Sequence, residues 1–388
     1  MHFNSDFQKN SNISNIFKVI WNNPETSRID ISKKFNIYRS TVSNIIGTLL
    51  SNDVIIEKTV DLEKSGRKPI CLSINKDFGM ILGIELQTND YKVVLISFDG
   101  TQVFSKYEKI KLNASFTENP EENFIDILDD IIKGVDGEIK KANIPLLGIV
   151  VGMPGIINID KGIIVNSVPF QLKDFDYAKV LKNKYKVPLF IENDAKCCAW
   201  LQCGMKREES ESGDFLCIFT KDYSDSVDIT KDGIGIGVAI SMNGQVIHGH
   251  NYAIGEYVSG SWRPKKVGQT GLADAVKKTV FTNDESYKDW IIDLFSTVTT
   301  FIPLFEPSTV FFHGQTEDKH DLILQTIEED VPQFNAIMKN CNSKLEIVNQ
   351  NQFEIAYGAA LMFLQTLSRI ENLEQQISYT SISWDEIF

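Results

Sequence analysis

The sequence predicts an α/β protein in two lobes, preceded by a small helical head that closes with a hairpin. Three observations carry this reading. Apolar residues in the first fifty positions recur three and four apart, the spacing of helix faces. After residue 76 they regroup into short apolar runs that alternate with helical stretches. Charge divides at the same place: residues 1–75 hold ten Lys and Arg against seven Asp and Glu, a net of +3, and the remainder carries −16. A mildly basic head on an acidic body suggests a small DNA-facing module joined to something else. At 388 residues, 43% apolar and 23% charged, the chain is long enough for two or three cores of ordinary globular composition. There is no apolar run of about 18 residues and no basic-then-apolar leader, so no membrane association and a cytoplasmic location are expected.

In the head, Ile13, Ile16, Phe17 and Ile20 share one face of a helix that Pro24 stops. A short second helix begins near Ser27 and turns at Asn36-Ile37. The third runs through YRSTVSNIIGTLL, with Val42, Ile45, Ile46, Leu49 and Leu50 as its buried stripe. That stripe leaves Tyr38, Arg39, Ser40, Thr41, Ser43 and Asn44 exposed at the start of the helix. A hairpin follows, VIIEKTVDLEKSGRKPICLSI, whose tip carries Lys64, Gly66, Arg67 and Lys68. Three short helices and a hairpin make a winged helix-turn-helix. A helix whose first turn shows Arg, Ser, Thr and Asn can enter the major groove and reach base edges. A basic tip of this kind can enter the minor groove. Double-stranded operator DNA is therefore the expected partner; a protein-interaction module with a solvated hairpin is the alternative.

From residue 76 the candidate strands are ILGIEL, KVVLISF, LLGIVVGMPG, PLFIEND, FLCIFT, GIGIGVAISMNG and TVFFHG. Between and after them lie candidate helices, including NFIDILDDIIKGVDGEIKKAN, AKCCAWLQC, YKDWIIDLFSTVTTFIPLF and EIAYGAALMFLQTL. The one hint of repetition is that each lobe opens with a strand hairpin. Six cysteines without metal-ligand spacing read as buried free thiols, and no metal is expected, at His248 and His250 included.

Three stretches carry chemistry. GMPG follows an apolar strand, and Gly152, Pro154 and Gly155 would let backbone amides approach a ligand closely. IENDAK puts Asn193 and Asp194 at a strand end just before a helix. An amide beside a carboxylate suits vicinal hydroxyls, and the carboxylate can serve as a general base; capping of the helix is the plainer alternative. Glu256 is a second carboxylate after a glycine-rich hairpin.

In this order, behind a winged helix, GMPG, ENDA, GIGIGVAISMNGQV, GE and AYGAAL resemble the ROK family of bacterial sugar kinases and sugar-responsive transcriptional repressors. The resemblance runs from about residue 12 to residue 365, with SRIDISKKFNIYRSTVSNII similar to the family's helix-turn-helix and SGRKP to its wing. It implies an actin-like, hexokinase-like (ribonuclease H-like) body whose lobes close on a sugar. By that likeness, residues 1–75 form the DNA-binding domain. Residues 76–193, completed by a tail of 366–388, form one lobe, and 194–365 form the other and the dimerisation surface. Asn193 and Asp194 match the family's sugar-binding pair, and Glu256 its ligand-binding glutamate.

Two departures weaken the nucleotide site. The family's kinases have a glycine-rich turn where this chain has Glu85-Leu86-Gln87-Thr88-Asn89-Asp90, with side chains that block phosphates and carboxylates that repel them. In GIGIGVAI, Ile234 stands for a threonine, and Val238 and Ala239 for glycines. The family's structural zinc is also expected to be missing: Ser259 stands at a histidine position and residues 256–270 contain no cysteine. Packing of Tyr257 and Trp262 is the suggested substitute. Phe170, where members often have a polar residue, either stacks on a sugar or belongs to the core. The expectation is a DNA-binding regulator, a repressor of sugar-metabolism genes. It would have no catalytic residues and no cofactor, would respond to a small-molecule sugar, and would act as a homodimer or homotetramer. The rivals are a sugar kinase with a DNA-binding head, and a regulator controlled by a protein partner whose sugar cleft is vestigial.

Overall fold

The computed structural model describes residues 2–35, 37–59, 70–110, 118–205, 213–223, 233–263, 268–316, 318–348, 353–368, 380 and 382–388. The head holds α1 (His2–Asn22), α2 (Arg28–Phe35), α3 (Arg39–Ser51), β1 (Ile55–Thr59) and β2 (Ile70–Ile74). Ile16, Ile20, Ile31, Val42, Ile46 and Leu49 are essentially buried, so the stripes read from the sequence do meet in a core. α1 begins well before the apolar pattern that predicts it. β1 and β2 pair antiparallel; the predicted wing tip, Lys64, Gly66, Arg67 and Lys68, lies outside the described residues.

The first lobe contains β3 (Met80–Leu86), β4 (Asp90–Ser97), β5 (Gln102–Lys109), α4 (Pro120–Ala142) and β6 (Leu146–Met153). It continues through β7 (Ile156–Asn158), β8 (Ile163–Ser167), β9 (Leu172–Asp176), α5 (Tyr177–Val180) and β10 (Leu189–Asn193), and α6 (Asp194–Gly204) follows. The second lobe has β11 (Phe215–Asp222), β12 (Ile234–Met242), β13 (Gln245–Val246), α7 (Asp274–Lys277) and α8 (Asp284–Val298). Next come α9 (Ile302–Phe305), β14 (Thr309–His313), α10 (His320–Asp330), α11 (Pro332–Asn340) and β15 (Lys344–Ile347). The chain closes with α12 (Glu354–Leu367) and α13 (Trp384–Ile387).

The sheets repeat one topology. Strand order is β10-β6-β3-β4-β5 in the first and β15-β14-β11-β12-β13 in the second, each an antiparallel meander joined to two parallel strands. Alternation sorts side chains to the two faces of each sheet. Leu82 and Ile84 pack outward with Phe124 and Leu128 of α4, while Ile81 belongs to the inner core. In the second sheet Leu216 and Ile218 pack outward with Trp290 and Leu294 of α8, while Phe215, Cys217 and Phe219 face inward.

The inner faces are covered crosswise. α6, which follows the first lobe's last strand, packs on β11 and β12 of the second. α12, which follows the second lobe's last strand, packs on β3, β4 and β6 of the first, and the two helices cross between the sheets. The boundary expected at residue 365 therefore moves to the start of α12. The physical reason is close packing: a Cβ on Gly83 would fall 1.9 Å from the Ala356 carbonyl oxygen, so only glycine admits the helix there. The tail is corrected too. Its described end does not complete the first lobe but docks on α1, where Trp384 meets Phe17 at 5.0 Å and donates its Nε1–H to Ser14 Oγ at 3.0 Å.

Candidate functional site

Just before α3, Tyr38 is 84% exposed; in its first turns Arg39, Ser40, Ser43 and Asn44 are exposed and Thr41 is half-buried, as its stripe requires. Gly47 lies on the same open face, and a Cβ there would meet nothing within 4 Å. The face is free to approach a flat or grooved partner.

Between the lobes lies a cavity of about 240 Å³. Pro154, Gly155, Asn193, Asp194 and Glu256 all line it, so five of the six expected ligand residues converge on one space. Gly152 does not. It sits beneath the cleft, where a Cβ would fall 2.7 Å from Ile355 and 2.8 Å from the Cys197 sulfur. That glycine admits α6 and α12 rather than a ligand, a correction to the sequence reading.

Asn193 ends β10 and caps α6: its Oδ1 accepts from Lys196 N at 3.1 Å and its Nδ2 donates to the Gly155 carbonyl at 3.0 Å. The capping alternative is thus realised, and the same amide ties the GMPG turn to the helix. Asp194 follows directly. Its Oδ1 accepts from Ala195 N at 2.9 Å and its Oδ2 from Gln87 Nε2 at 3.4 Å. Burial, with the nearby Glu85 and Glu256 carboxylates, outweighs these hydrogen bonds and pushes the Asp194 pKa up to about 6. Glu256 opens to the cleft yet is closely ringed by protein, which raises its pKa against the opposing charge of Lys196. Its backbone is held by Gly255, at φ +93°, where a Cβ would fall 1.6 Å from the Val238 carbonyl oxygen. The two carboxylates can accept hydrogen bonds from several hydroxyls of one small polar ligand.

The region that the resemblance gives to phosphates is filled by side chains. Gln87, 1% exposed, accepts the Tyr223 hydroxyl at 2.9 Å, and the Tyr223 ring lies so close over β12 that a Cβ on Gly235 would meet it at 2.3 Å. The two carboxylates of this turn, however, do not stand alone. Buried Glu85 is paired with Lys92 at 3.1 Å, and Asp90 with Lys221 at 3.6 Å. What occupies this space is side chain, the Tyr223 ring above all. Tyr223 carries no sequence signal for this role, because nothing in FLCIFTKDY marks that ring as a plug.

The segment after Glu256 is held by hydrogen bonds. Ser259 Oγ donates to Asp293 Oδ1 of α8 at 2.8 Å, Gly260 N to Thr297 Oγ1 at 2.9 Å, and Ile236 N to Gln269 Oε1 at 2.8 Å. Tyr257 is buried as expected, but Trp262 stays half-exposed, so α8 takes the anchoring role given to it. Phe170 is fully buried, edge-on to Phe124 at 5.9 Å, and belongs to the core. His248 faces Glu192 Oε2 at 2.7 Å, and Trp200 Nε1 donates to the same oxygen. Burial alone would raise the Glu192 pKa, but His248, Lys196 and the Asn193 amide hold it below its ordinary value.

These features define a class: a winged helix-turn-helix carried on a two-lobed, actin-like sugar-kinase fold with a carboxylate-lined cleft. Residues 81–269, just under half of the chain, match the family model described as ROK family. A xylose repressor of Caldicellulosiruptor bescii is 29% identical over 184 residues, covering 47% of this chain and 45% of that one, so this match spans under half the relative's length. A xylose repressor of Bacillus spizizenii is 24% identical over 355 residues, 84% of this chain and 87% of that one. In structure, a ROK family transcriptional regulator described as a homolog of the E. coli MLC protein superposes with a TM-score of 0.72. That match covers 98% of this chain and 99% of that one at 16% identity, a likeness of fold. Among the described residues no helix is long and apolar enough to cross a membrane.

Proposed function

We propose that this protein is a transcriptional repressor that binds operator DNA as a symmetric dimer and releases it when a monosaccharide enters the interlobe cleft. The observation that carries the reading is the contrast within one cleft: Asp194 and Glu256 line its cavity while Tyr223 and Gln87 fill the space beside them. Such a site favours a sugar over a nucleotide. Its volume, about 240 Å³, falls below the ~300–1,000 Å³ usual for drug-sized ligands and suits a single sugar ring. Xylose is the first candidate, from the names of the repressor relatives. Sugar would draw the lobes together by population shift, and closure would change the spacing of two heads. Paired recognition helices need half-sites about one DNA turn apart, so a small rotation ends simultaneous docking.

Fluorescence anisotropy on DNA from upstream of the protein's own gene, at fixed salt, tests this with a sugar panel that includes xylose and glucose. Specific binding relieved by one sugar is the expected result. Specific binding that no sugar alters, with no sugar shifting thermal stability, would transfer control to a protein partner and end the sugar reading. Sustained ADP production from sugar and ATP would establish the kinase instead.

A further inference from the structure

We propose that Cys198, His313 and Glu354 form a buried transition-metal site, of the zinc class, at the crossing of α6 and α12. One donor atom from each residue lies within 4.8 Å of the other two, and all three residues are buried. Three separate parts of the fold supply them. Cys198 stands one turn into α6 after Asp194, His313 ends β14 on its inner face, and Glu354 opens α12. The site is distinct from the cleft and from the loop at 256–270.

Glu354 accounts for one ring nitrogen of His313 and leaves the other over. Its Nδ1 is 2.9 Å from Glu354 Oε2, with the ring fully buried. Its Nε2 is also buried and has no hydrogen-bond partner among the described residues. A polar atom left so costs free energy, and native proteins keep few. A thiolate, an imidazole and a carboxylate are a zinc donor set, with Zn–S about 2.3 Å and Zn–N about 2.0 Å. Donors sharing one zinc stand roughly 3–4 Å apart, so rotations of about an ångström close the cluster. On binding, the Cys198 thiol gives its proton to solvent and the metal takes the sulfur. The role implied is structural: a metal here pins the helix that covers the second lobe to the helix that covers the first.

The test uses the full chain, purified from cells grown with zinc and, separately, with cobalt(II), so that metal enters as the protein folds. We expect about one metal per chain by elemental analysis and, for cobalt, a sulfur-to-metal charge-transfer band. Zinc-edge X-ray absorption should show one sulfur among nitrogen and oxygen donors. Cys198→Ser, checked for folding by circular dichroism, should lose both the metal and the band. A chain free of metal after both growths would overturn the site, as would metal retained by Cys198→Ser or a zinc shell without exactly one sulfur. The absorption result needs no variant, so misfolding of Cys198→Ser cannot shelter the proposal. None of these readings depends on a sugar or on DNA, so the site and the repressor reading fail separately.

Discussion

Asp194 keeps a carboxylate where water is scarce, and its raised pKa makes the consequence measurable. The ordinary value is 3.8 and the folded value about 6, so between these the native state holds a proton that the unfolded chain has released. Low pH thus favours the native state. As pH rises through this window that advantage is lost, and above about 6 the penalty is complete, at most about 3 kcal/mol. Asp194→Asn removes the titration. It is expected to raise the melting temperature near neutral pH, flatten the fall in stability between about 4 and 6, and abolish the thermal shift by sugar. Sugar binding by the native chain should weaken as pH falls through about 6, because an ionised carboxylate is the stronger acceptor. A variant that keeps its full sugar shift would remove Asp194 from the site. This residue was legible because its amide neighbour, strand end and helix start all coincide in IENDAK. Gly152 was misread for a plain reason: a glycine at a strand end looks the same whether a ligand or a helix comes close.

Among the elements, α3 and the α6–α12 crossing carry separate predictions. If Arg39 makes a bidentate contact to a base, Arg39→Ala should weaken operator binding by about 1–3 kcal/mol and relax preference at that one base pair. Uniform weakening across all sequences would reassign it to phosphate. The helix was readable because its apolar stripe and its polar face alternate cleanly. α6 and α12 were readable as helices but not as partners. Most residues of both are buried, and a helix buried on nearly all sides has no solvent face to say which sheet it covers. Their contact rests on small residues: a Cβ on Gly358 would fall 1.9 Å from the Cys197 carbonyl oxygen. Gly358→Ala is expected to destabilise the chain by about 1–3 kcal/mol in urea unfolding, since backbone on both sides must move apart. An unchanged midpoint would show that the crossing is looser than its geometry implies.

Across the whole molecule, the head is fastened to the body through the C-terminal end. Trp384, 1% exposed, packs on Phe17 of α1, and Phe17 in turn lies 5.6 Å from Phe98 of the first lobe. Ser14 of α1 donates to the Leu367 carbonyl at the end of α12 at 2.8 Å and accepts from Trp384. α12 runs from that contact back to Glu354, beside the cleft helix α6, so one helix joins the crossing to the helical head. The lobe movement proposed above would therefore have a packed route to the head, which charge patterning in the sequence did not reveal because the linking residues are aromatic and far apart in the chain. Trp384→Ala should cost about 3–5 kcal/mol at this junction, seen as earlier melting of the head. The sugar should still shift the melting of the body, while its effect on operator anisotropy should fall sharply. If the variant binds operator and releases it with sugar as the native chain does, the clasp is only a support and the signal reaches the heads by another path.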